Sequence, residues 1–234
     1  MSDKRYSLNA EEDHLFWQIV PHYNEAEETV AEAVQDTFRA DNAQSLQILE
    51  IGCGTGLTTE KILKADERIS LKAIDIDNET VEQARARLIE NKQVSFERAD
   101  ALEYLKRQPD ASVDAVLSAL VFHNCTAEYR ERVFAEIYRT LKKGGIFVNM
   151  DKFTQDDETE HQAALKWQLK EFEKFDALDR PDLREKWTKH YIEDENPDFL
   201  MREGAYKNIL EELGFAQVKK TYRYQMEATY LAQK

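Results

Sequence analysis

The stretch Leu49-Glu50-Ile51-Gly52-Cys53-Gly54-Thr55-Gly56 decides how this chain is read. Gln47 to Ile51 is short, apolar and β-branched, the pattern of a buried parallel strand, and Thr58 to Lys64 suits the start of a helix. Between the two the chain must reverse sharply. Glycine tolerates positive φ and has no Cβ to hold a ligand off the backbone, so three glycines in five residues suit a turn lying against a bound molecule. The amides that open the next helix then face that molecule as donors.

A dinucleotide site also places a glycine turn after its first strand, but with the spacing Gly-x-Gly-x-x-Gly. Here the third glycine falls one residue early, and Leu57 stands at the dinucleotide position. Glu50 points the same way, because a carboxylate beside the turn repels a pyrophosphate and attracts the cationic end of an amino acid. The loop therefore reads as a nucleoside site, with Glu50, Gly52, Cys53, Gly54 and Gly56 as its candidate binding residues. The competing reading is a turn that only joins strand to helix.

Working outward, 234 residues suit one α/β domain with a continuous core. The 46 acidic and 32 basic residues leave a formal net charge of −14, which argues against non-specific binding to nucleic acid. Between Phe153 and Ala205 there are 15 Asp and Glu against 8 Lys and Arg, so half of the excess sits in one segment, read as a solvated helical face. No apolar run reaches membrane-spanning length and Met1 to Asp13 has no signal-peptide core, so a cytoplasmic location with no membrane partner is expected. The two cysteines, Cys53 and Cys125, lack Cys or His partners at ligand spacing, and neither a disulfide nor a metal site is expected.

Before the loop, Leu15, Phe16, Ile19 and Val20 form a helical stripe interrupted by Pro21, and a second helix is predicted from Asn24, with Glu27 completing a capping box. The junction Val20-Pro21-His22-Tyr23-Asn24 reads either as a helix boundary packed on the core or as a lid. After the loop, strands are predicted at Leu71–Asp75, Val94–Ala99, Val113–Ser118 and Ile146–Met150. Asp75 stands about 20 positions beyond the glycines at the second strand tip, where a carboxylate binds ribose hydroxyls in nucleotide-type folds. Asp77 reads as a helix N-cap. In a doubly wound sheet Asp75, Asp100 and Ser118 converge beyond the strand ends; Asp100 suits an exocyclic adenine amine, and Ser118 contributes its backbone or only packs.

Tyr129, Val133, Phe134, Ile137 and Leu141 make an amphipathic helix that Gly144-Gly145 is expected to stop. Two further helical stripes, Leu165, Leu169, Phe172 and Leu183, Trp187, Tyr191, belong to an insertion over the mouth of the site. That insertion fits a monomer's lid and a homodimer interface equally. The chain closes with Gln217–Tyr224 and Glu227–Ala232 as a strand pair.

Taken in order, Glu50 to Gly56, Ala73 to Asp77, Arg98 to Ala101, Asp114 to Asn124, Leu141-Lys142-Lys143-Gly144-Gly145 and Leu213-Gly214-Phe215 resemble the class I S-adenosylmethionine-dependent methyltransferases over nearly the whole chain. The likeness implies an α/β, Rossmann-like, doubly wound and mostly parallel sheet of seven strands, one of them antiparallel. It also implies S-adenosylmethionine as cofactor and S-adenosylhomocysteine as product. The chain then divides into an N-terminal helical cap (1–46), a cofactor-binding core (47–152), a helical lid insertion (153–205) and a C-terminal helix with a strand pair (206–234).

Within that superfamily, Val20 to Asn24 and the insertion are similar to the carboxy-S-adenosylmethionine synthases that serve wobble-uridine modification in tRNA. The similarity implies Tyr23 near the methionine part, Gly52 to Gly54 along it, Asp75 and Ile76 at the ribose, Asp100 and Ala101 at the adenine, and Ser118 beneath the sulfonium. Two departures stand out. That group has Ser where Gly54 stands, and an arginine for the extra carboxylate where this chain has Ile209. Without that cation a carboxylated cofactor loses its charge-assisted partner. Methyl transfer to a small-molecule acceptor is therefore the expectation, with a tRNA-modification enzyme as the alternative. His123 is the candidate base, because imidazole titrates near neutral pH, and a histidine packed at the strand end is the competing reading.

Overall fold

The computed structural model describes residues 10–20, 22–40 and 42–234. Helices α1 (Ala10–Ile19) and α2 (His22–Phe38) precede a regular alternation: β1 (Leu46–Ile51), α3 (Leu57–Ala65), β2 (Ile69–Asp75), α4 (Asn78–Arg87), β3 (Val94–Arg98), α5 (Ala101–Lys106), β4 (Val113–Ala119), α6 (Ala127–Thr140) and β5 (Leu141–Lys152). The insertion contributes α7 (Glu158–Phe172), a 3₁₀ turn (Glu173–Leu178) and α8 (Pro181–Glu193), and the chain ends in α9 (Glu203–Glu212), β6 (Ala216–Tyr224) and β7 (Glu227–Gln233).

The strands join in one seven-stranded sheet, ordered β3-β2-β1-β4-β5-β7-β6. Pairings among β1 to β5 are parallel, whereas β7 runs antiparallel to both β5 and β6. This is the expected class I methyltransferase fold. Connections from β1 go one way along the sheet and those from β4 the other, so a crevice opens between the C-terminal ends of β1 and β4, where such sheets bind ligands.

Successive residues of β1 feed opposite cores. Leu49 and Ile51 pack with Leu105, Val116, Phe134, Ile137, Phe147 and Leu210 under α5, α6 and α9. Leu46 and Ile48 pack with Val30, Val34, Phe38, Ile62, Leu71 and Leu117 under α2 and α3. Each such residue contributes about 1.5–3 kcal/mol by leaving water. A third apolar cluster lies outside the sheet: Phe16, Val20 and Tyr23 pack against Leu165, Phe172, Phe175, Leu183, Trp187 and Tyr191.

Local expectations fail in two places. Helix α2 starts at His22, so Asn24 lies inside it and donates to Glu28 Oε1 (2.9 Å), while Glu27 takes the Lys61 ammonium (2.9 Å) instead of capping. Pro21, the expected interruption, and residues 1–9 at the polar N-terminus lie outside the described residues. Gly144-Gly145 does not stop α6, which ends at Thr140; Leu141 already pairs with Val113 as strand, and Gly144 (φ 81°) falls in β5 where the register with β4 slips. Among the described residues, no helix is long and apolar enough to cross a membrane.

Candidate functional site

A cavity of about 250 Å³ opens at the β1–β4 crevice. Its floor is the glycine loop. Gly52 has φ 75°, and a Cβ there would stand 2.1 Å from Val121 Cγ2, because the turn after β4 presses directly on it. Gly54 has the opposite surroundings: φ is 50°, and a Cβ would meet nothing within 4 Å. Since Gly54 lines the cavity, its bare backbone faces space that a ligand can fill.

Asp75 organises this loop. Its Oδ2 accepts the Gly54 amide and its Oδ1 the Asp77 amide, both at 2.9 Å. Burial pushes its carboxyl above the usual range, partly offset by those two amides. Each oxygen keeps a second lone pair for a ligand hydroxyl. Asp100, at the neighbouring strand end, caps α5 through the Glu103 amide (3.1 Å) and accepts the Tyr129 hydroxyl (3.0 Å). Both carboxylates thus lie on the same side of the sheet. Ile76, Ala99, Ala101 and Tyr129 complete this end of the cavity, whereas the Asp100 side chain stands behind its wall. Asp77 caps α4 as expected.

Glu50 lies beneath the loop, 1% exposed, accepting the Thr59 hydroxyl at 2.7 Å. Desolvation, with Asp75 and Glu27 adding repulsion, pushes its carboxyl up to about 8, although the Thr59 bond opposes the rise. Glu50, Gly56 and Ser118 do not line the cavity. Gly56 packs against Ala84 of α4, and Ser118 is buried in β4 between Ile51 and Asn149. Cys53 lines the cavity, but burial holds its thiol far above the usual range, so it stays protonated. Ile209 packs on the core under the sheet. Neither Lys nor Arg lines the cavity among the described residues, so nothing there replaces the arginine of the carboxylated-cofactor group.

The other end of the cavity is built from the turn after β4 and from the helices above it. His123 sits in a 3₁₀ turn (Phe122–Asn124), and its Nδ1 is 2.6 Å from Asp151 Oδ1. Asp151 is fully buried at the end of β5; its Oδ2 also accepts the Phe122 amide (2.8 Å) and its Oδ1 the Lys152 amide (2.9 Å). A carboxylate with these donors assigns the imidazole proton to Nδ1 and leaves Nε2 as the acceptor, 2.9 Å from the Asn124 amide nitrogen. Arg130, buried on α6, holds the same turn by donating to the carbonyls of Phe122 (3.3 Å), Cys125 (2.7 Å), Phe199 (2.8 Å) and Leu200 (2.7 Å).

Above, Phe16, Trp17, Tyr23, Trp187 and His190 close the cavity. The Tyr23 and Tyr191 hydroxyls are hydrogen-bonded to each other and lie 3.1 Å and 3.2 Å from the buried Glu227 Oε1, which accepts from the pair; His22 Nε2 meets Oε2 at 3.2 Å. This network fastens α2 and α8 to β7. Asp151, Tyr129 and His190 are absent from the sequence-based site. The His123–Asp151 pairing had no local signal, since 28 residues separate the partners.

A family model described as a methyltransferase domain matches residues 48–145. The chain is 28% identical over 163 residues to a malonyl-[acyl-carrier protein] O-methyltransferase of Ilyobacter polytropus, covering 68% of this chain and 58% of that protein. It is 22% identical over 226 residues to the carboxy-S-adenosyl-L-methionine synthase of Campylobacter fetus, covering 94% and 89%. Among solved structures, the CurJ carbon methyltransferase superposes with a TM-score of 0.66 at 18% identity, covering 88% of this chain and 53% of that one, a likeness of fold. Alignments with two malonyl-[acyl-carrier protein] O-methyltransferases span only 58% and 48% of those proteins. Its sheet order and glycine loop are those of the class I S-adenosylmethionine-dependent methyltransferase fold, and residues 48–145 match a methyltransferase domain.

Proposed function

We propose that the chain transfers a methyl group from S-adenosylmethionine to a small-molecule acceptor, and that it works in the cytoplasm. The observation that carries this reading is the pairing, in one cavity, of a bare Gly54–Asp75 cradle with the imidazole of a buried His–Asp dyad. The cradle suits an adenosine joined to an amino acid, and the loop spacing disfavours a diphosphate. When bound, S-adenosylmethionine supplies a methyl group already activated by the sulfonium charge.

The protein's part is positioning and proton handling. Gly52 to Gly54 and Asp75 would hold the nucleoside, with Ile76, Ala99 and Ala101 around the base and Tyr23 towards the amino-acid portion. His123 Nε2 takes the acceptor's proton once the acceptor displaces the Asn124 amide, and Asp151 stabilises the imidazolium that results. General-base assistance of this kind is worth about 10²- to 10⁴-fold. Phe16, Trp17 and Trp187 exclude water. Calorimetric titration with S-adenosylhomocysteine tests the reading: binding with no response to NAD supports it, and the reverse selectivity refutes it.

The likeness to the carboxy-S-adenosyl-L-methionine synthase over 94% of the chain favours a second reading, a tRNA-modification enzyme. Among the described residues neither Lys nor Arg lines the cavity, which counts against a carboxylated cofactor. An affinity for tRNA that falls steeply with salt supports this alternative, and no association at low salt removes it.

A further inference from the structure

Helix α8 brings a second imidazole to the acceptor end of the cavity. His190 lines the wall with His123, and the ring centroids are 5.7 Å apart at 62°. Each ring has its own buried carboxylate: His123 has Asp151, and His190 has Asp194 one helical turn on, 3.5 Å from Nε2. One ligand-type atom from each of His123, His190 and Asp194 falls within 4.8 Å of the others, a spacing that suits a cation. Asp194 Oδ2, however, already takes the ammonium of Lys152, which is itself buried and lies 4.2 Å over the Tyr191 ring. A cation is in place.

The charged groups around the pair are Asp151 and Lys152 from β5, Asp194 from the end of α8 and, behind Asp151, the Arg130 guanidinium of α6. Further out, Glu195 is engaged by His161 (2.8 Å) and Glu227 by Tyr23, Tyr191 and His22. Each imidazole is thus backed by a carboxylate of its own. That is an arrangement for one base and one hydrogen-bond donor, set on opposite elements: His123 on the rigid sheet end, His190 on the helix that covers it.

We propose that His190 is a second catalytic residue, donating a hydrogen bond to the acceptor oxygen from which His123 removes the proton, so that the acceptor class is a weakly acidic hydroxyl, a phenol or an enol. The inference rests on the methyl-transfer reading above. In the step, the acceptor's O–H bond breaks and its proton passes to His123 Nε2. The oxygen electron pair forms the new bond to the methyl carbon, and the pair of the broken carbon–sulfur bond stays on sulfur, giving neutral S-adenosylhomocysteine. His190 steadies the oxygen's charge until the methyl arrives. An amine acceptor gains nothing from the His190 donor, because a donor aimed at nitrogen competes for its single lone pair.

The test uses 4-nitrophenol as probe, with the full chain saturated with S-adenosylhomocysteine. Its absorbance distinguishes phenol from phenolate, and binding is followed below the probe's solution pKa. The wild type is expected to bind it as phenolate. His190→Leu should weaken phenolate binding about tenfold or more, the equivalent of one charge-assisted hydrogen bond. His190→Gln, which keeps a donor, should recover most of that loss, a rescue that a merely structural role does not produce. S-adenosylhomocysteine affinity, measured calorimetrically on each variant, should stay at the wild-type value. If wild type fails to bind S-adenosylhomocysteine, both readings fall. If it binds and His190→Leu holds phenolate as well as wild type, or Gln falls as far as Leu, this inference alone is overturned. Stoichiometric zinc, iron or manganese on elemental analysis of the purified protein also overturns it, by assigning the three ligand-type atoms to a metal.

Discussion

Replacing Glu50 by Gln should stabilise the protein at neutral pH, and the gain should grow with pH. The side chain is 1% exposed, and burial pushes its carboxyl from the ordinary 4.5 up to about 8. At pH below 4.5 the group is protonated in folded and unfolded chains alike, and the stability it contributes is fully present. As pH rises, the unfolded chain releases the proton while the folded chain keeps it. Stability then falls by about 1.4 kcal/mol per pH unit until the folded carboxyl ionises near 8, so that roughly 3 kcal/mol is lost by pH 7. Gln has the same shape, still accepts the Thr59 hydroxyl, and does not titrate. Urea unfolding of both proteins at pH 5, 6, 7 and 8 measures the difference. Its slope is the decisive quantity, since the exchange of carboxyl for amide adds only a constant offset. A difference that is flat to within about 0.5 kcal/mol across the series would refute the account, and a slope of opposite sign would mean that Glu50 is ionised in the fold.

Gly54→Val should fold, with a cost of about 1–2 kcal/mol for its positive φ. It should lose S-adenosylhomocysteine binding by more than about a hundredfold, because the new side chain fills the open face of the cradle; calorimetry beside thermal melting separates the two effects. Asp151→Asn should leave S-adenosylhomocysteine affinity unchanged and lower turnover by about a hundredfold or more, with the loss in kcat, once an acceptor is in hand. Arg130→Ala strips the donors from four carbonyls and should cost roughly 3–5 kcal/mol in denaturant unfolding; a loss under about 1 kcal/mol means that water replaces the guanidinium.

The parts of the site legible in the sequence are those that local patterns determine. The glycine turn, Asp75 at the second strand tip and the sequential βα alternation each depend on a few neighbouring residues, and the alternation alone restricts the sheet to a doubly wound order. Asp151 is hidden because the apolar pattern ends the fifth strand at Met150; an aspartate after an apolar run looks like a strand terminus. In the fold it is buried beneath the Phe122 amide and the His123 ring, partners set by the pairing of β4 with β5. Tyr129 has helical spacing with Val133 and Phe134 and therefore read as core, although its hydroxyl reaches Asp100. His190 and Asp194 lie in the segment whose excess acid reads as a solvated face. His190 and Asp194 follow Trp187 by three and seven residues, on the apolar face that α8 packs against α1 and α7, but which groups they meet there depends on that packing.

The helices that close the cavity have an apolar nucleus of their own, with Phe16, Val20 and Tyr23 from one end of the chain and Phe172, Phe175, Leu183, Trp187 and Tyr191 from the insertion. This nucleus is tied to the sheet through α2 and through Tyr23 and Tyr191, which meet Glu227 of β7. Chimaeras exchanging α7 and α8 between relatives should therefore fold more often than exchanges through the sheet, provided that Tyr191 is kept against Tyr23 and Glu227.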